Sequence, residues 1–454
     1  MGPTRSAPVR IDLVRVLELL RTHITAALCQ TVFHTVRITE RQRLWTLEAL
    51  VQFWLAVILR APRALSQALY ETLEGREPLF PVVQASPEAF FERCQSLRPA
   101  FFAEIFTRFT ARLLCAVPVR YAVDLAPLQA RFAEICVVDG SRLAAIAHRL
   151  KLLWPERAVV LPGCLLAVYD VGRGLCRTLA FSADAAAAEL TRARAVVGTL
   201  PRDTLVLADR LYGTAVWFAA LAAQRCWGVV RYNRCLGLRK LRRLRGRRYQ
   251  GGRLEDWLVE AGGSRTPPVL RYIQWRHGRT LHAVLTNVLD PHRLSAIEAL
   301  ALYPQRWTVE RLFYDLKEVL NLNRVYAANP HAIAMQVYAA ACVYNACRVA
   351  QAEVAATAGL VPEAISPAKF FPKVAAACHC YALCELCFVE TKGANPGRRL
   401  RQPTLDRRRF AHVLLESILV DHRKGPRRKR RFCKARAKWK SLKHVRGGRK
   451  LLNS

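Results

Sequence analysis

Ile135-Cys136-Val137-Val138 and Leu205-Val206-Leu207-Ala208 are short apolar runs, and each is followed at once by an aspartate, Asp139 and Asp209. Unbroken apolar runs of this length, bounded by polar or turn residues, predict strands buried on both faces. In a sheet that contains parallel strands, side chains at the carboxyl ends of neighbouring strands converge on one crevice. The two aspartates, placed just past their strands, can therefore meet there. Carboxylates that close together repel unless a proton or a cation lies between them, and Mg²⁺ favours oxygen ligands. Taken singly, each aspartate is as simply a turn residue or helix cap beside Arg142 or Arg210.

The rest of the chain supplies the setting. With 454 residues it is long enough for two or three domains. Residues 11–20 have helical apolar spacing, a second helical pattern runs from Thr39 to Leu59, and Ser86-Pro87 is a helix start with proline at the first position. This part, 1–130, predicts a helical domain that either binds DNA and dimerises or simply packs. From about 132 the pattern turns to strands: 163–171 and 175–181 form a hairpin across Gly172-Arg173-Gly174, a helix covers 185–200, another runs to Ala223, and 227–232 is a further strand. Residues 234–253 break the pattern with a run of Arg and Lys and no acid, and strand-like pieces return at 269–275 and 281–288. Helices are predicted from Pro291 to Leu320 and from Ala332 to Ala356.

Charge narrows the partner. Lys and Arg number 71 against 34 Asp and Glu, a formal net charge of +37. A field of that sign attracts polyanions, and its spread over several segments favours nucleic acid over a membrane surface. The apolar stretch 332–347 contains Gln336 and Asn345 and is too short to span a bilayer, and no signal-peptide pattern opens the chain. The 15 cysteines stand mostly within apolar runs and read as buried thiols of a reducing compartment. A cytoplasmic, DNA-associated protein is the expectation.

The third acid lies in a helix. In Tyr303-Pro304-Gln305-Arg306-Trp307-Thr308-Val309-Glu310-Arg311-Leu312-Phe313-Tyr314-Asp315-Leu316-Lys317, a step of about 100° per residue places Arg306, Glu310 and Lys317 on one stripe, with Tyr303 near it. Trp307, Leu312 and Phe313 serve packing. A stripe of this kind is equally well a solvated face with salt bridges, so it gains meaning only beside the two strand-end aspartates.

Taken together, these pieces resemble the DDE transposases of the insertion-sequence-four type. Tyr303, Arg306, Glu310 and Lys317 match that family's Y-R-E-K signature in identity and spacing. Val138-Asp139-Gly140-Ser141 and Ala208-Asp209-Arg210-Leu211-Tyr212-Gly213 match its first and second aspartate motifs, in the same order, and the resemblance covers roughly 130–350. It implies an α/β, RNase-H-like catalytic core at 131–350 with a β-rich basic insertion at about 233–285, preceded by the helical 1–130 and followed by a helical region and basic tail at 351–454. It implies that Asp139, Asp209 and Glu310 are catalytic and hold two Mg²⁺ or Mn²⁺ ions. Tyr303, Arg306 and Lys317 would contact double-stranded DNA, and cutting and rejoining would proceed without a covalent protein–DNA intermediate, commonly through a hairpin at the transposon end. Joining two ends implies a dimer in the DNA complex.

Arg242 and Arg243 in the basic insertion, and Arg428 and Lys429 in the tail, are candidates for backbone contact, which supplies affinity rather than sequence reading. Relatives can hold a flipped base on a tryptophan of the insertion. Trp275 and His282 are the candidates here, with Trp257 behind them, and each is otherwise a packing residue. Cys378, Cys380, Cys384 and Cys387 are too cramped for one tetrahedral zinc site and lack a second pair at finger-like distance. No phosphate-binding glycine-rich lysine loop indicates a nucleotide cofactor. A nuclease that cuts without joining, an inactive DNA-binding descendant and a zinc-dependent DNA-binding module are the rival readings.

Overall fold

The computed structural model describes residues 14–36, 43–75, 77–143, 163–184, 187–262, 267–327 and 329–393, the last ten as backbone alone. Helices come first: α1 (Arg15–His23), α2 (Ala26–Val36), α3 (Leu47–Arg60), α4 (Leu65–Glu74), α5 (Pro87–Ser96), α6 (Pro99–Ala116) and the short α7 (Ala126–Gln129). The Ser86-Pro87 start holds, with the Ser86 hydroxyl accepting from the Ala89 amide. Thr39 lies outside the described residues. The cap of α3 is Thr46, seven residues on, whose hydroxyl accepts from Ala49 N–H.

A nine-stranded sheet follows. Its strands are β1 (Glu134–Arg142), β2 (Cys164–Asp170), β3 (Leu175–Ser182), β4 (Thr204–Ala208), β5 (Trp227–Arg231), β6 (Leu238–Tyr249), β7 (Gly252–Ala261), β8 (Val269–His277) and β9 (Thr280–Thr286). Spatially the order is β3-β2-β1-β4-β5-β9-β8-β7-β6. β1, β4 and β5 are parallel neighbours, while β2 and β3 flank β1 antiparallel as a hairpin and β9 returns antiparallel to β5. The basic stretch and its neighbours therefore extend the same sheet instead of standing apart from it.

Both faces of the central strands are covered. On one lie α8 (Glu189–Val197) and α9 (Ala215–Ala223), packing on Cys136, Val138, Val206 and Ala208. On the other, a core continuous through α1–α6 takes in Ile135, Val137, Leu205 and Leu207, together with α10 (Ala296–Leu302), α11 (Trp307–Tyr314), α12 (Pro330–Thr357) and α13 (Pro367–Gly393). Double coverage is why β1 and β4 read as unbroken apolar runs. α12 is buried around nearly its whole circumference, the expected place for a helix apolar on all sides. Among the described residues no single helix is long and apolar enough to cross a membrane.

Two strands depart from the sequence reading. The Arg- and Lys-rich 234–253 holds an exposed edge strand, β6, paired along β7. Charges on an open edge oppose pairing with another sheet. β7 went unread because acids interrupt its apolar alternation. One of them, Asp256, points inward and pairs with the fully buried Arg271 of β8 at 2.5 Å. Arg271 Nη1 also donates to the Val288 and Leu294 carbonyls, tying β7 and β8 to the turn before α10.

Candidate active site

Register brings the two aspartates together. Val137 of β1 pairs with Leu207 of parallel β4, and residues two apart on a strand share a face. Asp139 and Asp209 therefore leave adjacent strand ends on the same face. Asp209 does follow its strand directly and caps the next turn, its carboxylate accepting from Leu211 N–H at 2.7 Å. Asp139, by contrast, lies inside β1 and not past it, because pairing with β2 continues through Arg142.

The third acid comes from the helix on that face. Ser295 and Glu298 form a capping box that starts α10. Pro304 then tightens residues Tyr303–Arg306 into a 3₁₀ turn, α11 carries Glu310, and Asp315–Val319 widen into a π-helical turn. The stripe survives these changes of winding. Arg306 Nη1 lies 2.9 Å from Glu310 Oε1 and 3.6 Å from Asp139 Oδ2, so a single guanidinium nitrogen stands between two of the acids. Lys317 Nζ, in the π turn, donates to Ser141 Oγ and to the Arg142 carbonyl, both at 2.7 Å, and burial lowers its pKa. Burial pushes the Tyr303 hydroxyl up to about 12, against the pull of Arg306 and Arg231. All six signature residues thus meet at the ends of β1 and β4.

One participant escaped the sequence reading. Glu189, at the start of α8, presses its carboxylate against Gly140, and the buried Tyr212 hydroxyl donates to its Oε1 at 2.7 Å. The only early signal was its place one residue into a helix just before the second aspartate strand. Asp139 shows the combined electrostatics. Desolvation, with the Glu189 and Asp209 charges, raises its carboxyl to about 7 despite the Gly140 amide and Arg306.

This donor set is all carboxylate oxygen, which suits a hard divalent cation. The Arg306 nitrogen between Asp139 and Glu310 shows that their carboxylates already converge on a position of positive charge. With Arg306 there, no group of three or more His, Cys, Asp or Glu among the described residues is gathered closely enough to hold a metal ion.

Away from the acids, β6 exposes Arg242 and Arg243, and Arg243 pairs with Glu255 at 3.3 Å. Trp275 is half-buried, donates to the Tyr249 carbonyl at 2.8 Å and stacks on His277, with exposed His282 tilted beside it. Trp257 faces the cations of β6, with Lys240 Nζ 4.4 Å from its ring. Cys378 is buried and Cys380 exposed on α13, whereas the side chains of Cys384 and Cys387, and all of Arg428 and Lys429, lie outside the described residues.

Comparison with known proteins agrees with this geometry. The family model for the transposase DDE domain matches residues 162–346, a span that includes Asp209 and Glu310 and begins beyond Asp139. "Putative transposase y4zB" of Sinorhizobium fredii (strain NBRC 101917 / NGR234) is 27% identical over 148 residues, which is 31% of this chain and 41% of that protein. The match thus spans less than half the length of that curated relative. The cryo-EM structure of a piggyBac transposase synaptic complex with hairpin DNA aligns over 92% of this chain and 87% of its own, at 12% identity and a TM-score of 0.39, a likeness too slight to carry an argument. The chain carries a transposase DDE domain at residues 162–346.

Proposed function

We propose that this protein is a cut-and-paste transposase of the insertion-sequence-four type, which cleaves and rejoins DNA with divalent cations held by Asp139, Asp209 and Glu310. The observation that carries the reading is the convergence of three acids, far apart in sequence, on the ends of two adjacent parallel strands, with Arg306 bridging two of them. The sheet order, with a β2-β3 hairpin beside parallel β1, β4 and β5, supports an RNase-H-like core for residues 131–350. Strands β6–β9 then form its β-rich insertion, with 1–130 as the helical N-terminal domain and 351–454 as the C-terminal region.

Bound by these carboxylates, Mg²⁺ or Mn²⁺ would supply Lewis-acid activation of the attacking oxygen and stabilisation of the leaving one. The chain's own groups do the remainder. Arg306 neutralises Asp139 and Glu310 while the crevice is empty of DNA, and its fork geometry suits a phosphate once the acids turn to a cation. Lys317, anchored at the end of β1, and Tyr303 line the path of the cleaved end. Arg242 and Arg243 of β6, with Arg428 and Lys429 of the tail, bind the duplex backbone through charge alone. The cations over Trp257 make it a better stacking platform for an extruded base than Trp275, whose indole N–H is committed to Tyr249. A dimer on paired transposon ends, working in the bacterial cytoplasm at the nucleoid, completes the proposal.

The test is an assay with purified protein, DNA ends from the element flanking its gene and Mg²⁺ or Mn²⁺. Joined products that require both metal and Asp209 support the reading. Cleavage with no joining favours an RNase-H-like endonuclease, and binding with neither favours an inactive DNA-binding descendant.

A further inference from the structure

Gly140 and Tyr212 carry no chemistry at the Asp139–Asp209 crevice, yet both face one further carboxylate. Gly140 sits in regular extended strand, paired opposite Leu166, and its backbone is not among those with a positive φ. Conformational freedom therefore does not explain a glycine there, but space does. A Cβ on Gly140 would stand 2.2 Å from Glu189 Oε2 and 2.4 Å from its Cδ, well inside van der Waals contact. The bare Cα is the seat of the Glu189 carboxylate. Tyr212, wholly buried, fixes the other oxygen with a 2.7 Å hydrogen bond. Two aspartate motifs, seventy residues apart in sequence, thus converge on a glutamate that belongs to neither.

Glu189 so held lies close enough to Asp139 that its charge acts there more strongly than that of Asp209. Among the described residues, Tyr212 is its hydrogen-bond donor and no Lys or Arg pairs with it. A carboxylate fixed by one oxygen beside a second acid is unfavourable unless a cation joins them. Hard divalent cations take six or more oxygen ligands, more than three carboxylates shared between two ions readily provide.

We propose that Glu189 is a fourth carboxylate of the cation-holding set, binding one divalent cation together with Asp139. Gly140 and Tyr212 are then positioning residues that seat and orient it. This inference rests on the reading of the crevice as a divalent-cation site.

The experiment is a Mn²⁺ titration of the full-length protein, following free Mn²⁺ by electron paramagnetic resonance and the thermal midpoint alongside, with circular dichroism to verify folding. Asp139→Asn defines the binding that belongs to the crevice. Glu189→Gln is expected to weaken that binding by at least about tenfold and to shrink the Mn²⁺-induced rise in Tm, and Tyr212→Phe to weaken it by a smaller factor. Should Glu189→Gln fail to fold, Gly140→Ala displaces the carboxylate with the glutamate still present and is expected to show the same loss. Wild-type Mn²⁺ affinity in folded Glu189→Gln or Gly140→Ala, with loss in Asp139→Asn, overturns the role of Glu189 and leaves the crevice reading standing. Absence of any Asp139-dependent Mn²⁺ uptake in the wild type overturns both.

Discussion

At Asp139, opposing forces meet on one carboxyl. Burial and the charges of Glu189 and Asp209 favour its protonated form, whereas the Gly140 amide and Arg306 favour the anion, and the balance leaves it at about 7. An unfolded chain would ionise the same group near the ordinary aspartate value, so between about pH 4 and 7 the folded state binds more protons than the unfolded one. Stability of the metal-free protein from this group is therefore full below about 4 and falls as pH rises through 7. Asp139→Asn removes the penalty. Thermal unfolding in chelator at pH 8 should show its Tm above wild type by on the order of 2 °C, with the gap closing at pH 5. Equal midpoints at both pH values would remove the electrostatic account of this site. Arg306 has the complementary role. Its truncation to alanine leaves Asp139 and Glu310 facing each other unneutralised and takes a cation from the DNA path. End cleavage by Arg306→Ala should fall by about a hundredfold or more, as when a preorganised donor is removed from a reacting centre. A single-turnover assay on pre-formed ends reads this, and a near-wild-type rate would make the arginine merely structural.

Elements, more than single residues, decide what was legible in advance. Strands β1 and β4 stood out because burial on both faces leaves an unbroken apolar run, and their end aspartates followed from that. The α11 stripe was readable from helical periodicity even though the chain there passes from a 3₁₀ turn through α to π winding, because contacts at 306, 310 and 317 depend on only a few turns. Glu189 was not legible. Its place in the crevice depends on the packing of α8 against β1 and on a missing side chain at Gly140, and neither leaves a local pattern. β7 hid for a related reason: an inward aspartate looks like a turn until its buried arginine partner is known. That Arg271–Asp256 pair also clamps β7 and β8 to the segment leading into α10 and α11. Breaking it with Asp256→Asn leaves a buried guanidinium uncompensated and should cost about 3–5 kcal/mol, measured by urea unfolding. A loss under 1 kcal/mol would show that the clamp contributes little. On β6, the double change Arg242→Ala with Arg243→Ala should weaken binding to all DNA sequences alike. It should flatten the dependence of log K on log salt by about one for each phosphate contact removed. An unchanged slope would place the duplex elsewhere.

For the whole molecule, one sheet links the two activities a transposase needs. Its parallel centre presents the acids, and its antiparallel extension ends in a cationic edge strand, so an acidic crevice and a basic surface share a single framework. The helices of the first third of the chain share a core with the sheet face that carries α11. They accordingly brace the catalytic helix whatever contacts they make with DNA. The net charge of +37 supplies affinity for the polyanion that such a framework would hold. The most direct test of the central claim is strand transfer by the purified full-length protein on its own element's ends, with Asp209→Asn in parallel and with metal withheld as a second control. The account predicts joined products from wild-type protein with Mg²⁺ or Mn²⁺ and none from either control. Joining that persists in Asp209→Asn or in the presence of chelator would contradict it.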